Sequence, residues 1–444
     1  MISKSPMPLG VKIKLIREAR GYSQEQMARL LKIKQSKISD LETGKAEYDD
    51  EILQASKKIL EIENAPLLPH EIDLYKDRIW VWNDMITANR IIEAVALRDE
   101  LSCVMPLHYE HDLILLYLMT DVRLLIKERK SERTDEIVGE IMIKAQAYLE
   151  GASNDALHLY HRNNGFLNVK FGNSKEGLAH YLKSIDIAGD NMKPDSAIYA
   201  VIGLAYSSLG KPYHAIRHLE TAIRENRSDR VDPNSAHTMT MLAQNYILTK
   251  EYNSAKKLID ICVPHARRTD HKLILSNALL VQGYLYHQLG QYREAIAIYD
   301  QHLKMPTNGL SISSIANKAQ CFFALKELAK AHEVIEQGRV LLQELRGQEN
   351  HIRGGGFGLK LLSLRLDAVQ HLMSLNNKES LSYLENVAIP RLAVSDGYDK
   401  FFALDLCNGL RQHYTKKRAI TKANAVAAVA NDIMAEMFFE DAEV

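Results

Sequence analysis

One self-similarity dominates this chain of 444 residues. A small residue followed three positions later by an aromatic recurs as Gly203/Tyr206, Ala243/Tyr246, Gly283/Tyr286 and Ala319/Phe322, and an alanine stands twelve positions after each small residue, at Ala215, Ala255, Ala295 and Ala331. Those alanines are 40, 40 and 36 residues apart. A period of this length marks a supersecondary unit that cannot bury its apolar face alone and must stack on copies of itself. Small residues sit where two antiparallel helices approach closely, and aromatics fill the gaps between neighbouring pairs. Gly165 and Gly177 extend the series upstream without the aromatic, and Ala368 and Ser380 extend it downstream. The ruler predicts about six units from Ala156 to Leu392, with divergent helices on either side.

Composition agrees with an all-α chain. Leu, Ala, Ile, Lys and Glu abound, 56 Lys and Arg balance 56 Asp and Glu, and no run of about eighteen apolar residues appears. The opening MISKSPMPLG has no apolar signal core. Cys103, Cys262, Cys321 and Cys407 are far apart and lack CxxC spacing, as expected of packing thiols in a reducing cytoplasm. Helical patterns at residues 86–101 and 111–128 are read as the start of the array. Those at 401–414 and 419–439 are read as a closing pair, capping or dimerising. RGQENHIRGGGFG, residues 346–358, is read as a loop.

The N-terminal end departs from the repeat. Ser23 stands before an apolar-periodic run with Gln26 three positions on, a capping box, and Gly21 offers the backbone on which a preceding helix can end. Ile13, Ile16, Met27, Leu30, Leu31, Ile33, Ile38 and Leu41 are spaced to converge on one small core of three helices. The third helix, about Gln35 to Glu42, turns Ile38 and Leu41 inward and leaves Gln35, Ser36, Ser39 and Asp40 outward. Gln pairs bidentately with adenine, Ser bonds several bases and Asp accepts from cytosine, so the set can read a major groove. Gln24, Lys37, Lys45 and the backbone near Thr43 are candidates for phosphate contacts. Residues 1–45 carry ten Lys and Arg against four acids in a chain that is neutral overall.

The segment from about Leu9 to Ile62 resembles the phage-repressor and Cro type of helix-turn-helix found in the xenobiotic-response-element regulators. The shared signature is Arg17 in the first helix, Ser23 and Gln24 opening the second, and Glu42 and Gly44 closing the third. The resemblance implies a five-helix domain and an ion pair between Arg17 and Glu42. It departs at Lys34, where Ser or Thr usually caps the recognition helix. Residues 278–299 and 198–216 resemble tetratricopeptide repeats, which implies a right-handed superhelical solenoid. The segments so read are 1–64 for the DNA-reading domain, 65–75 for a linker, 76–392 for the repeats and 393–444 for the C-terminal helical pair.

A solenoid curves, and its first helices line a groove in which an extended ligand can lie. Amides there can satisfy a peptide backbone, since each offers both donor and acceptor. On the ruler the first helices carry Arg162, Asn163, Asn164 and Asn168, then Gln244 and Asn245, Asn277 and Gln282, and Asn317 and Gln320. An N-terminal repressor-like domain before such repeats resembles the Rgg, Rap, NprR, PlcR and PrgX family. That resemblance implies a cytoplasmic, homodimeric transcription factor whose partners are an operator in double-stranded DNA and a short signalling peptide. The alternative is an adaptor whose repeats grip another regulatory protein, such as a response regulator, while the DNA domain localises it.

Other constellations point elsewhere than to chemistry. Gly354, Gly355, Gly356 and Gly358 follow no strand and precede no Lys-Ser pair, so a linker is the better reading than a phosphate cradle. His108/His111 and His158/His161 have helical spacing but no further ligands, which favours packing over metal. No nucleophile elbow, metalloprotease pair or nucleotide loop is present. The expectation is a protein without catalytic residues, metal, cofactor or membrane span.

Overall fold

The computed structural model describes residues 8–63, 67–102, 110–128, 133–171, 173–188, 196–226, 233–269, 271–306, 309–346, 358–395 and 397–438. Every regular element among them is helical. Cys103, His108 and the glycines at 354–356 lie outside the described residues. The chain divides into two compact units, residues 1–163 with 183–191, and residues 164–182 with 192–444. These cuts differ from the four segments read in the sequence.

The first unit opens with α1 (Leu9–Ala19), α2 (Gln24–Leu31), α3 (Gln35–Thr43) and α4 (Asp50–Ile59). Its capping box forms as read: Ser23 Oγ accepts from the Gln26 amide at 3.1 Å, and Gln26 Oε1 accepts from the Ser23 amide at 2.7 Å. Gly21 and Gly44 take φ of +77° and +75° at the two turns. Ile13, Met27, Ile38 and Leu53 form the core, with Ile16, Leu31 and Ile33 packed against it. Leu30 does not join them; it is 52% exposed. Met27, Ala28 and Leu31 already fill the inward arc of α2, and Leu30 lies off that arc.

The segment expected as a linker is structural. Leu67 is buried in the same core, and α5 (Pro69–Thr87) starts two residues later, supplying the fifth helix. Glu71 fixes this entry by accepting from the amides of Leu67 and Leu68, both at 2.9 Å, while Lys57 donates to it at 2.7 Å. Lys12, inside α1, is buried: it donates to the Leu67 carbonyl at 3.0 Å and pairs with Glu110. The unit continues through α6 (Ile91–Ser102), α7 (His111–Glu128), α8 (Thr134–Ala145) and the start of α9 (Asn154–Lys170). Trp82, Leu115, Met119 and Val122 are among its fully buried side chains.

The second unit holds the repeats: α11 (Ser196–Ser208) with α12 (Pro212–Glu225), α13 (Pro233–Leu248) with α14 (Tyr252–Arg268), α15 (Lys272–Gln288) with α16 (Tyr292–Leu303), and α17 (Gly309–Ala324) with α18 (Leu328–Arg346). Each helix packs on its pair-mate and on the next pair. The ruler residues explain how closely. A Cβ added at Gly283 would lie 2.5 Å from the Tyr299 ring, and one at Gly203 would lie 2.5 Å from Leu219. Gly165 has the same relation to Tyr181, sixteen positions on, at 2.6 Å. Ala215, Ala243, Ala255, Ala295, Ala319 and Ala331 are all fully buried. The array ends in α19 (Leu359–Leu372), α20 (Lys378–Tyr383), a π turn into α21 (Ile389–Ala393), α22 (Tyr398–Lys416) and α23 (Ile420–Phe438). No helix among the described residues is long and apolar enough to cross a membrane.

Candidate functional site

The candidate nucleic-acid surface is built on α3. Ile38 and Leu41 are buried, which turns Gln35, Ser36 and Lys37 outward as exposed residues and leaves Ser39 and Asp40 half-exposed. Lys34 stands at the N-cap without a side-chain hydrogen bond, so its side chain caps no amide of the first turn of α3. Thr43 Oγ1 donates back to the Ser39 carbonyl at 2.7 Å, and Gly44 closes the helix. Lys37 approaches Asp49 at 3.8 Å, and Lys45 is exposed just beyond the helix.

What holds α3 in place is a buried network. Arg17 Nε donates to Glu42 Oε1 at 2.5 Å, and a terminal guanidinium nitrogen donates to Glu42 Oε2 at 3.0 Å, a bidentate pair joining α1 to α3. A second guanidinium arm donates to the Tyr22 carbonyl at 2.6 Å, tying in the turn before α2. Gln24 donates to Glu42 Oε2 at 2.9 Å, so this amide belongs to the network as well as to the surface where a phosphate contact was expected. The carboxylate raises the Arg17 pKa further above its ordinary value, chiefly through the hydrogen bond with Glu42. Burial beside the same carboxylate pushes the Tyr48 phenol up.

Two structural residues carried little sequence signal. Gly10 lets α1 cross the end of α3: a Cβ there would lie 2.0 Å from the Leu41 carbonyl oxygen. Lys12 reads in the sequence as part of the basic excess, yet it is buried, as is Arg17. The exposed cations are therefore Lys14, Arg20, Arg29, Lys32, Lys34, Lys37 and Lys45, and Lys4 lies outside the described residues. Lys37 stands on α3, and Lys32, Lys34 and Lys45 flank it.

The candidate ligand residues of the repeats separate by burial. Arg162 and Asn163 belong to the first unit, and Asn163 is buried with its amide donating to the Met119 carbonyl at 2.8 Å. In the second unit, Asn164 is half-buried and its carbonyl accepts from Asn168 at 3.0 Å. Gln244, Asn277, Gln282 and Gln320 are half-buried on α13, α15 and α17, helices that neighbour one another as first members of successive pairs. Asn317 is buried on α17. Asn245 is fully buried; its amide donates to the Met241 carbonyl at 2.9 Å and to Ser207 Oγ at 3.1 Å, while its Oδ1 has no hydrogen-bond partner.

The histidines are placed in packing. His158 Nδ1 lies 2.9 Å from Ser184 Oγ on α10 (Ser174–Ala188), and His111 meets the Tyr148 ring edge-on. Among the described residues no group of three or more His, Cys, Asp or Glu is arranged to hold a metal ion. Cys262, Cys321 and Cys407 are free and buried, and burial pushes their thiols up to about 11, 12 and 11.

Residues 8–53 match the helix-turn-helix domain family, and residues 196–229 and 278–311 match tetratricopeptide repeat families. The chain carries a helix-turn-helix domain and tetratricopeptide repeats. No curated protein matches it by sequence. Its fold is similar to a solved Rap protein complexed with competence and sporulation factor: 14% identity, 82% of this chain and 99% of that one, TM-score 0.65. It is also similar to the apo form of the quorum sensor NprR from B. thuringiensis, with 20% identity over 81% of this chain and 98% of that one, TM-score 0.61. NprR in complex with its cognate peptide NprX gives 20% identity, 81% and 97% coverage, and TM-score 0.62. These likenesses are likenesses of fold.

Proposed function

We propose that this helix-turn-helix and repeat protein is a cytoplasmic, peptide-responsive transcriptional regulator of the quorum-sensing type, acting as a homodimer. Base reading falls to Gln35, Ser36, Ser39 and Asp40, with Gln24, Lys37, Thr43 and Lys45 on phosphates, and α3 is held to its angle by the Arg17–Glu42 pair. A short signalling peptide lies along the first helices of the repeats in the second unit, on the half-buried Asn164, Gln244, Asn277, Gln282 and Gln320; Asn163, Asn245 and Asn317 are buried, and Arg162 belongs to the first unit. The observation that carries this reading is the combination of a recognition helix outward at Gln35–Asp40 with a repeat array of the fold of NprR, whose solved complex holds a cognate peptide. The peptide acts by differential affinity for array curvatures, which sets the spacing of two paired recognition helices.

Binding-site selection from random duplexes with the full chain, repeated with Gln35→Ala and Asp40→Ala, tests the DNA half. Each substitution is expected to relax base preference at one position, at about 1–3 kcal/mol per lost contact. Unchanged selectivity in both variants would remove α3 from the reading. The adaptor reading keeps the same DNA contacts but expects no saturable peptide heat in calorimetry, where a regulator of this kind gives a defined stoichiometry.

A further inference from the structure

The C-terminal helix pair folds back on the first repeat of its own unit, and we infer that α22–α23 is an intramolecular clasp with Glu436 as its catch. The contact joins residues about two hundred positions apart. Lys211, in the turn between α11 and α12, donates to the backbone carbonyl of Glu436 in the last turn of α23, where the helix dipole favours a cation. Lys400 on α22, itself buried, pairs with the Glu436 carboxylate. Tyr213 packs on the Phe438 ring at 5.6 Å, and Phe438 meets Phe401 edge-on at 6.3 Å.

The backbone is shaped for this closure. Gly397, at φ +60°, leads into α22, and a Cβ there would lie 3.0 and 3.1 Å from the carbonyl oxygens of Ser208 and Ser207 at the end of α11. Across the contact Gly210 takes φ +72°, and its Cβ position is 3.3 Å from the Lys400 chain. Close approach of two turns, both at conformations that favour glycine, marks a fitted contact rather than a chance touch. The clasp also has a rigid anchor. Asp399, one residue from Lys400, forms a buried ion pair with Arg365 of α19, whose guanidinium also donates to Ser313 of α17 at 3.2 Å. Movement at the catch is thereby tied to the inner helices α17 and α19. The C-terminal pair thus fixes the curvature of the array from α11 to α23, and a ligand that changes this curvature works against the clasp.

Double electron–electron resonance on the full chain reads the closure directly, with nitroxides at Arg217→Cys and Asp432→Cys in a Cys103→Ser background; both label sites are exposed and the other thiols are buried. The wild-type background is expected to give one narrow distance. Glu436→Lys is expected to broaden and lengthen it, and the swap Lys400→Glu with Glu436→Lys to restore it. Raising salt to about 1 M on the unaltered catch is expected to lengthen it as well, since the Glu436 carboxylate is partly exposed and open to screening. A broad distribution in the wild-type background, or an unchanged narrow one in Glu436→Lys, overturns the clasp. Should circular dichroism show that Glu436→Lys does not fold, the salt series and Phe438→Ala give the same reading, and no change in either overturns it equally.

Discussion

At the scale of single residues, the account rests on buried polar groups whose partners are identified. Arg17 and Glu42 sit on different helices with almost no solvent contact. Truncating either leaves the other's charge buried, so Glu42→Ala is expected to destabilise the N-terminal domain by about 3–5 kcal/mol, read as a fall in its denaturant midpoint. His302 supplies a pH test. It is buried between Ser276, 2.7 Å from Nε2, and Ser314, 2.8 Å from Nδ1, and burial lowers its pKa to about 4. A folded-state value below the unfolded one means the neutral ring's contribution is complete above pH 6.5 and is lost as pH falls from there toward 4. It amounts to up to about 3 kcal/mol. A melting-temperature profile should fall through that window, and His302→Asn should make the fall shallower, the buried His287, also lowered to about 4, keeping part of it. The capping box at Ser23 was legible because it is local chemistry at fixed offsets. Leu30 and Lys12 were not, because a residue's side of a helix is decided by what arrives from elsewhere: Leu67 and Glu110 bury Lys12, and among the described residues Leu30 stays half-exposed.

At the scale of elements, the repeat ruler was legible for a physical reason. Helix pairs can close only where one partner is small, and Gly283 beneath Tyr299 shows the constraint at 2.5 Å. Gly283→Ala is expected to cost about 1–3 kcal/mol, as an overpacked core contact, with Tyr299→Leu in the same chain recovering part of it. Chemical denaturation of the single and double variants measures both. Gly10→Ala belongs to the same class but meets backbone instead of a side chain, so no partner can yield. It is expected to tilt α3 and weaken DNA binding even where the fold survives, as measured by anisotropy on a selected duplex. Where the segment expected as a linker at 65–75 packs was not legible, because local sequence marks a turn but not what the turn packs against. Leu67 and Glu71 make that turn part of the domain core.

At the scale of the whole molecule, a helix-turn-helix domain and a repeat array occur in one chain, and the proposal is that they share a free energy. The amides chosen for the array divide between packing and availability: Asn163 and Asn245 are buried and donate within the fold, whereas Gln244, Asn277, Gln282 and Gln320 are half-buried. The sequence showed which helix each amide sits on but not which hydrogen bonds the fold had already used, since those partners lie dozens of residues away. The most direct measurement is the affinity of the full chain for its selected operator across a titration of short peptides encoded beside its gene. The expected result is a saturable change in operator affinity of about 5- to 150-fold, with DNA changing peptide affinity by the same factor. Tight peptide binding that leaves operator affinity unchanged would contradict the account.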